Sequence, residues 1–423
     1  MASVTAPSAL HDLLTGLFRS GERTDAHTQL LGLEVEHFIV ALNGRPLSYE
    51  APSGDIGARD ILEHLTSAFP RRMSDDNGNL LGVAGPTGSV TLEAGSQLEY
   101  SVAPYARVEH IEKAYAKFRS LVDPYVLGHG YRLETWGYHP TRRADELGLT
   151  PEERYAFLDA HFSDGQSSGR HTMRAMAATQ VSVDYTSERD AVRKLRVASA
   201  LAPVLAAIAD NSPVFDGRPN HTPIRRLMVW RNVGNRRGGI APRLFSHGFC
   251  YGTYADWLVQ TSPIYTPARA ESTSKACAQS AQEAYAHTRP SQQDAEHVAS
   301  VVWPDARLKR IVEIRPADCM PADCVMGYAA LIKGLLYPER SLAAIERALG
   351  VHEDVWPLTD QDVDDAIEQI QERGGLGMVY GMPLHEWEEL LFSLAYLALD
   401  EGDRRYLAPL EAFAADKHWW RVS

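Results

Sequence analysis

The stretch Val90-Thr-Leu-Glu-Ala-Gly-Ser-Gln-Leu-Glu-Tyr-Ser101 constrains the fold more than any other part of this chain. It reads as two short strands about a break at Ala94-Gly95-Ser96. A strand turns successive side chains to opposite faces. Thr91 and Glu93 therefore oppose Val90 and Leu92, and Gln97, Glu99 and Ser101 oppose Leu98 and Tyr100. Two carboxylates on one polar face, backed by an apolar one, are expensive to hold unless positive charge sits between them.

Three further segments repeat the pattern. Leu30 to Val40 sets Glu34 and Glu36 against Leu33 and Val35. Thr179 to Tyr185 sets Gln180, Ser182 and Asp184 against Val181 and Val183, and Arg310 to Arg315 sets Glu313 and Arg315 against Val312 and Ile314. Such strands, interspersed irregularly with helices, suit an antiparallel sheet covered by helices on its apolar side. The expected class is α+β. Helices are expected over Ala9 to Phe18, Arg59 to Phe69, after Pro104, over Glu152 to His161, and from Ser187 to about Asn211 with a bend at Pro203. In the C-terminal quarter, Trp387, Leu390, Leu391, Leu394 and Leu397 form a helix-period stripe expected in the core. Arg225 to Trp230 reads as a short strand, the glycine-rich segment 75–88 as a loop, and the polar segment 262–300 as a mobile flap or a partly disordered stretch.

The net charge of −13 argues against a nucleic-acid or anionic-membrane surface. No stretch approaches the roughly 20 apolar residues of a membrane span, and the N-terminus has no basic start followed by an apolar run. Cys250, Cys277, Cys319 and Cys324 are too few and too irregular for a disulfide framework, so reduced thiols and a cytoplasmic location are expected.

The chemistry follows from the charges. Glu34, Glu36, Glu93, Glu99 and Glu313 on one sheet face need a neutraliser, and Mg²⁺ is the natural one, a hard cation that shares its shell with phosphate oxygens. Arg225, Arg226, Arg231, Arg236, Arg237 and Arg315 suit phosphates and carboxylates through bidentate contacts. Carboxylates, Mg²⁺ and arginines together are what phosphoryl transfer requires. Each Glu-X-Glu pair alone is more often a solvated strand face, and Glu313-Ile-Arg315 alone a surface ion pair. There is no Walker loop, Gly-X-Ser-X-Gly elbow or His-Glu-X-X-His spacing. Because the glutamates repel one another, Glu93→Gln or Glu313→Gln is expected to abolish turnover with a modest loss of stability or a gain.

The ordered set Gly32-Leu-Glu-Val-Glu36, Leu92-Glu-Ala-Gly-Ser-Gln-Leu-Glu99, Gln180-Val-Ser-Val-Asp184, Asn211-Ser-Pro213, Arg226 with Trp230, Arg237, Glu313-Ile-Arg315 and Gly334-Leu-Leu-Tyr337 resembles the glutamate–cysteine ligases. The resemblance covers roughly residues 30 to 340 and is to the plant and proteobacterial type, with the actinobacterial enzymes of ergothioneine biosynthesis. It implies a glutamine-synthetase-like fold, a curved antiparallel sheet forming a funnel with helices outside. The whole chain, 1–423, would be one catalytic domain, with 1–29 a helical lead-in and 340–423 a helical part packed on it. The implied reaction is ATP-dependent: glutamate becomes γ-glutamyl phosphate, and an amino-acid amine, cysteine by default, displaces phosphate. Residue by residue, Glu34, Glu36, Glu93, Glu99 and Glu313 match the Mg²⁺-binding carboxylates, Glu93, Glu313 and Arg315 being the catalytic set. Arg237 and Arg315 match arginines facing the phosphates, while Arg226, Gln180 and Gln97 match substrate-binding positions. The chain departs from the family at Ser182, at Glu93-Ala-Gly-Ser96, across Trp230 to Arg237 and after Arg315, all near the acceptor. The alternatives are another amino-acid acceptor in a specialised pathway and, less favoured, a non-catalytic regulatory relative. A monomer or homodimer without nucleic acid or membrane partners is expected.

Overall fold

An 11-residue strand, β1 (Leu31–Ala41), runs through the middle of a nine-stranded sheet. Leu31, Leu33 and Val35 are buried on one side of it, while Glu34 and Glu36 stay partly open on the other. The computed structural model describes residues 9–24, 29–52, 54–163, 167–234, 237–269, 272–276, 280–417 and 420. The other strands of the sheet are β2 (Arg71–Ser74), β3 (Leu80–Gly85), β4 (Gly88–Leu92), β5 (Leu98–Tyr105), β6 (Tyr131–Glu134), β7 (Thr179–Val183), β8 (Ala306–Leu308) and β9 (Val312–Ile314). Their order is β8-β9-β7-β1-β5-β4-β3-β2, with β6 pairing the last four residues of β1. Every pairing in the sheet is antiparallel. Its two ends do not meet, so the α+β fold is built on an open sheet rather than a barrel.

The apolar face of that sheet is what the helices cover. The long helix Val108–Gly128 lays Ile111, Tyr115, Phe118 and Val122 against β5 and β6. Helix Ala322–Leu336 packs on β7 and is buried nearly all round, because Leu384–Ala398 and Leu407–Ala415 close over its outer side. One apolar core thus runs from Leu10 to Ala414. Each large side chain in it contributes roughly 1.5–3 kcal/mol by leaving water. His37 belongs to this core. Its ring contacts Leu98 O at 3.1 Å and Tyr115 Oη at 2.7 Å, and burial holds its pKa down to about 3. Among the described residues no helix is long and apolar enough to cross a membrane.

Five local expectations are corrected. Arg225–Arg231 is a helix, because Arg226, Leu227 and Val229 bury a helical face and Ile224 enters it from a left-handed backbone (φ 49°). Within 75–88, Leu80–Gly85 is strand β3; a Cβ on Gly82 would lie 2.9 Å from Val90 O, so the glycine is there for close strand approach. The 262–300 segment carries a hairpin (Ile264–Arg269 with Ser272–Ala276) and two helices, Ala281–Ala284 and Gln292–Ser300, with 270–271 and 277–279 lying outside the described residues. At Pro203 the chain does not bend but breaks into two helices, Glu188–Ala200 and Ala202–Ile208, since proline has no N–H to continue the first. Of the C-terminal stripe, Trp387 and Leu391 are core but Leu397 is 69% exposed. Arg236 and Cys277 lie outside the described residues.

The crossing of helix Ala322–Leu336 with Leu407–Ala415 rests on a glycine. A Cβ on Gly327 would stand 2.6 Å from Leu410 Cβ and 2.7 Å from Tyr406 O. Gly327→Ala is expected to destabilise the fold by about 1–3 kcal/mol, read as a lower Tm with an unchanged circular dichroism spectrum. An unchanged Tm would show that the helices separate freely.

Candidate active site

Backbone register alone assembles the polar face. Glu36 pairs directly with Glu99, and Glu34 with Ser101 on one side and Gln180 on the other. Further along, Ser182 pairs with Glu313, and Glu313 with Arg307. Directly paired residues of an antiparallel sheet point the same way. All of these therefore share one face. Glu93 and Gln97 continue it past the break between β4 and β5, where Ser96 takes a left-handed backbone (φ 64°). Glu34, Glu36, Glu93, Glu99, Gln97, Gln180 and Arg315 line a single cavity of about 320 Å³.

The carboxylates in it are poorly neutralised. Burial, then Glu99 and Glu313, raises the pKa of Glu34 to about 7. Burial, then Glu93, does the same for Glu99 despite a 2.7 Å hydrogen bond from Ser101 Oγ. Glu36 is pushed well above the usual carboxylate range by burial and by Glu93 and Glu99, although Ala178 N–H donates to its Oε2 at 2.8 Å. Gln180 Nε2 donates to its Oε1 at 3.2 Å, and Gln180 Oε1 accepts from Arg315 Nη1. That amide is the link between the acidic half of the site and its cationic half.

Glu313 corrects the expectation of a fifth metal carboxylate. It does not line the cavity, because both its oxygens are taken. Oε2 accepts from Arg307 Nε at 2.8 Å and Arg315 Nη1 at 2.9 Å, and Oε1 accepts from Lys309 Nζ at 2.9 Å. Burial opposes its charge, but the three cations outweigh burial and keep it ionised, well below the usual range. Glu313 is the counter-ion around which the cations are gathered.

Three other expected site residues serve the frame instead. Gln97 borders the cavity, yet its Oε1 accepts from Gly95 N–H and its Nε2 donates to the Met173 and Met176 carbonyls, so the amide fixes the break. Arg226 lies behind the cavity wall, since the helix 225–231 turns it inward; Nη1 donates to Arg315 O at 3.0 Å and the guanidinium lies over Trp230. Arg237 is fully buried and bonds the Val301 and Ser262 carbonyls, each at 2.8 Å. It clips together the two ends of the 262–300 excursion, and burial lowers its pKa to about 10.

Sequence reading finds Arg315 but misses the other cations that line the cavity, and the aromatics beside them. Arg307 and Lys309 line it, as do Arg154 with Tyr155 beneath it, Tyr265 from the hairpin, and Trp303. A signal exists in Ala306-Arg-Leu-Lys309, where the period of two puts both cations on the face of Glu313 across a tight turn. Arg154 and Tyr265 leave no such signal, being brought in by a helix and a hairpin from elsewhere in the chain.

A divalent cation fits this arrangement. Among the described residues no three acidic, histidine or cysteine side chains form a ready-made metal cage. Mg²⁺, however, keeps several waters and needs only one or two carboxylates when phosphate oxygens complete its shell. The cavity offers four carboxylates, three of them held above their usual range by burial and by the charges of their neighbouring glutamates.

Two measurements follow. Glu34 and Glu99 in the fold hold protons that the unfolded chain has released above about pH 4.5, so the stability they contribute is full below that pH and lost as pH rises through about 7. Burial holds His37 at about 3 and His139 at about 4, and these drift the opposite way once free histidine protonates. Between about pH 8.5 and 6.5, the metal-free protein is therefore expected to gain roughly 2–5 °C in Tm. The gain shrinks in Glu99→Gln, and Mg²⁺ at the high-pH end replaces it; a flat profile in calorimetry would contradict the cluster. The second concerns charge removal. Glu93→Gln relieves Glu99 and Glu36 and leaves Tm unchanged or higher, whereas Glu313→Gln strands Arg307, Arg315 and Lys309 and lowers stability by about 3 kcal/mol, a larger loss than the modest one expected from sequence.

Comparison with known proteins places this geometry. The chloroplastic glutamate–cysteine ligase B of Oryza sativa subsp. japonica is 29% identical over 353 residues, covering 81% of this chain and 69% of the rice protein. The chloroplastic glutamate–cysteine ligase of Medicago truncatula is 28% identical over 370 residues, covering 85% and 70%. The fold is similar to the crystal structure of glutamate–cysteine ligase from Francisella tularensis in complex with AMP, with a TM-score of 0.50 at 10% identity over 92% of this chain and 82% of that one. The profile of Glutamate-cysteine ligase family 2 (GCS2) matches residues 30–411. A match over that much of the sequence, on a sheet whose register gathers the carboxylates, means that the chain belongs to glutamate–cysteine ligase family 2.

Proposed function

We propose that this protein is an ATP-dependent ligase that joins the γ-carboxyl of L-glutamate to the amine of L-cysteine through γ-glutamyl phosphate. One observation carries the reading beside the family: the four carboxylates Glu34, Glu36, Glu93 and Glu99 meet three cations, Arg307, Lys309 and Arg315, in one cavity. A γ-carboxylate oxygen attacks the terminal phosphorus of ATP and ADP leaves. The amine nitrogen then attacks the acyl carbon, phosphate departs and the ammonium proton is lost. A free carboxylate is a poor acyl donor, so phosphorylation supplies the leaving group. Such transfer is catalysed by positioning and charge neutralisation.

The chain's own groups divide that work. Arg315, fixed by Gln180 and Glu313, and Arg307, fixed by Glu313 and the Ser300 and Val302 carbonyls, present charge to phosphate without having to reorganise. Glu34, Glu36, Glu93 and Glu99 would hold Mg²⁺, which bound there would screen the triphosphate. Trp230, Trp303, Phe162 and Tyr265 make the apolar side of the cavity and limit water. Cysteine is the acceptor the family indicates; the departures at Ser182 and Trp230 to Arg237 favour testing other amines beside it.

The test incubates the protein with ATP, Mg²⁺, glutamate and a panel of amino acids, with ADP and amides followed by mass spectrometry. γ-Glutamylcysteine formed with one ADP per amide is expected, together with loss of at least about 100-fold in kcat in Glu93→Gln. An amide formed only with another amine would replace the acceptor. ADP released equally without glutamate would remove the donor.

A further inference from the structure

The three cations around Glu313 are not equivalent. Arg307 and Arg315 have side chains only 8% and 9% exposed, and both bond Oε2. Each is also fastened elsewhere, Arg307 to the Ser300 and Val302 carbonyls and Arg315 to Gln180. Lys309 differs on every count. Its side chain is 35% exposed, it lines the cavity, and among the described residues its ammonium donates to Glu313 Oε1 alone, at 2.9 Å. Its backbone, by contrast, is pinned, since Lys309 O accepts from the buried Tyr185 Oη at 2.8 Å. The result is a flexible four-carbon arm on a fixed mount.

Without Lys309, Glu313 would still hold two fixed guanidiniums on Oε2, whereas among the described residues no ion pair holds Glu34 or Glu99 across the cavity. Lys309 is one of the charges that favour the ionised forms of both Glu34 and Glu99. A lysine ammonium is a compact point charge with three rotatable donors, which suits it to exchange partners where a planar, doubly anchored arginine cannot.

We propose that Lys309 is the mobile counter-ion of the acidic cavity: it stands beside the carboxylates while no metal is bound and swings to the phosphates when metal and nucleotide enter together. This inference rests on the ligase reading above. Its consequence is a coupling. Without nucleotide, Lys309 competes with a divalent cation for the same carboxylates. With nucleotide it has phosphate oxygens to bond instead, so metal and nucleotide each strengthen the other's binding, by the same factor in both directions.

The experiment titrates Mn²⁺ into the whole metal-free protein by calorimetry, with and without a non-hydrolysable ATP analogue, in wild type, Lys309→Met and Lys309→Arg. Wild type is expected to bind Mn²⁺ more tightly when the analogue is present. Lys309→Met is expected to bind Mn²⁺ about tenfold tighter than wild type without nucleotide, and to gain correspondingly less from the analogue. Lys309→Arg, which keeps the charge, should stay close to wild type without nucleotide, separating charge from packing. Equal Mn²⁺ affinities for wild type and Lys309→Met without nucleotide, or an undiminished gain from the analogue, would overturn the mobile counter-ion and leave the ligase reading standing. If wild type binds neither Mn²⁺ nor the analogue, the ligase reading fails and this inference goes with it.

Discussion

Glu36 and Glu99 face each other across two hydrogen-bonded strands, and the site depends on that unfavourable contact. Like charges directly opposite in a sheet repel, and here burial adds to the repulsion. The sheet cannot escape by slipping one residue, because that would carry Leu33, Val35, Leu98 and Tyr100 from the core to the polar side. Burial of one face therefore imposes the repulsion on the other. The strands keep their register because the apolar side gains more than the polar side loses, and the surplus negative charge is left for a ligand of opposite sign to relieve.

The same face also shows the opposite arrangement. Three strands away from Glu99, Glu313 is surrounded by Arg307, Arg315 and Lys309 and is fully satisfied. Gln180 sits between the two regimes with one amide end on Glu36 and the other on Arg315. An amide can serve both because it is donor and acceptor at once. A glutamate there would add to the acidic excess, and a lysine would neutralise part of it. The neutral bridge preserves a gradient from anionic to cationic across the width of the sheet, the direction along which a metal–triphosphate would lie.

Much of this is legible in the sequence, and the limits have physical causes. The period of two exposes Glu34, Glu36, Glu93 and Glu99 as one face, since alternation is a property of the strand alone. Alternation alone does not tell that Glu313 is saturated, because that depends on which strand lies beside β9; the cations of Ala306-Arg-Leu-Lys309 reach Glu313 only once β8 is paired with it. Charge alone makes Arg237 and Arg226 look ligand-facing. Their burial is set by a helix and by two carbonyls from residues 262 and 301, which local sequence does not encode. The glycines of 75–88 have the composition of turns, yet Gly82, Gly85 and Gly88 serve close packing in and beside β3, a distinction that needs the neighbouring chain.

What orients the acidic residues is largely backbone. Ala178 brackets Glu36 twice, its N–H on the side-chain Oε2 and its O accepting from Glu36 N–H at 2.9 Å. Ala178 is held in turn by a bridge to Asp318, whose carboxylate takes Asn211 N–H at 2.8 Å and Ser212 Oγ at 2.6 Å. Room for that carboxylate exists because residue 137 is glycine, where a Cβ would fall 2.1 Å from Asp318 Oδ2. A chain of hydrogen bonds and one missing methyl group, none of them touching the cavity, thus decide where the Glu36 oxygens point. Peptide N–H groups suit this role because they hold a carboxylate in place while adding no full positive charge, so Glu36 stays oriented and still short of a counter-ion.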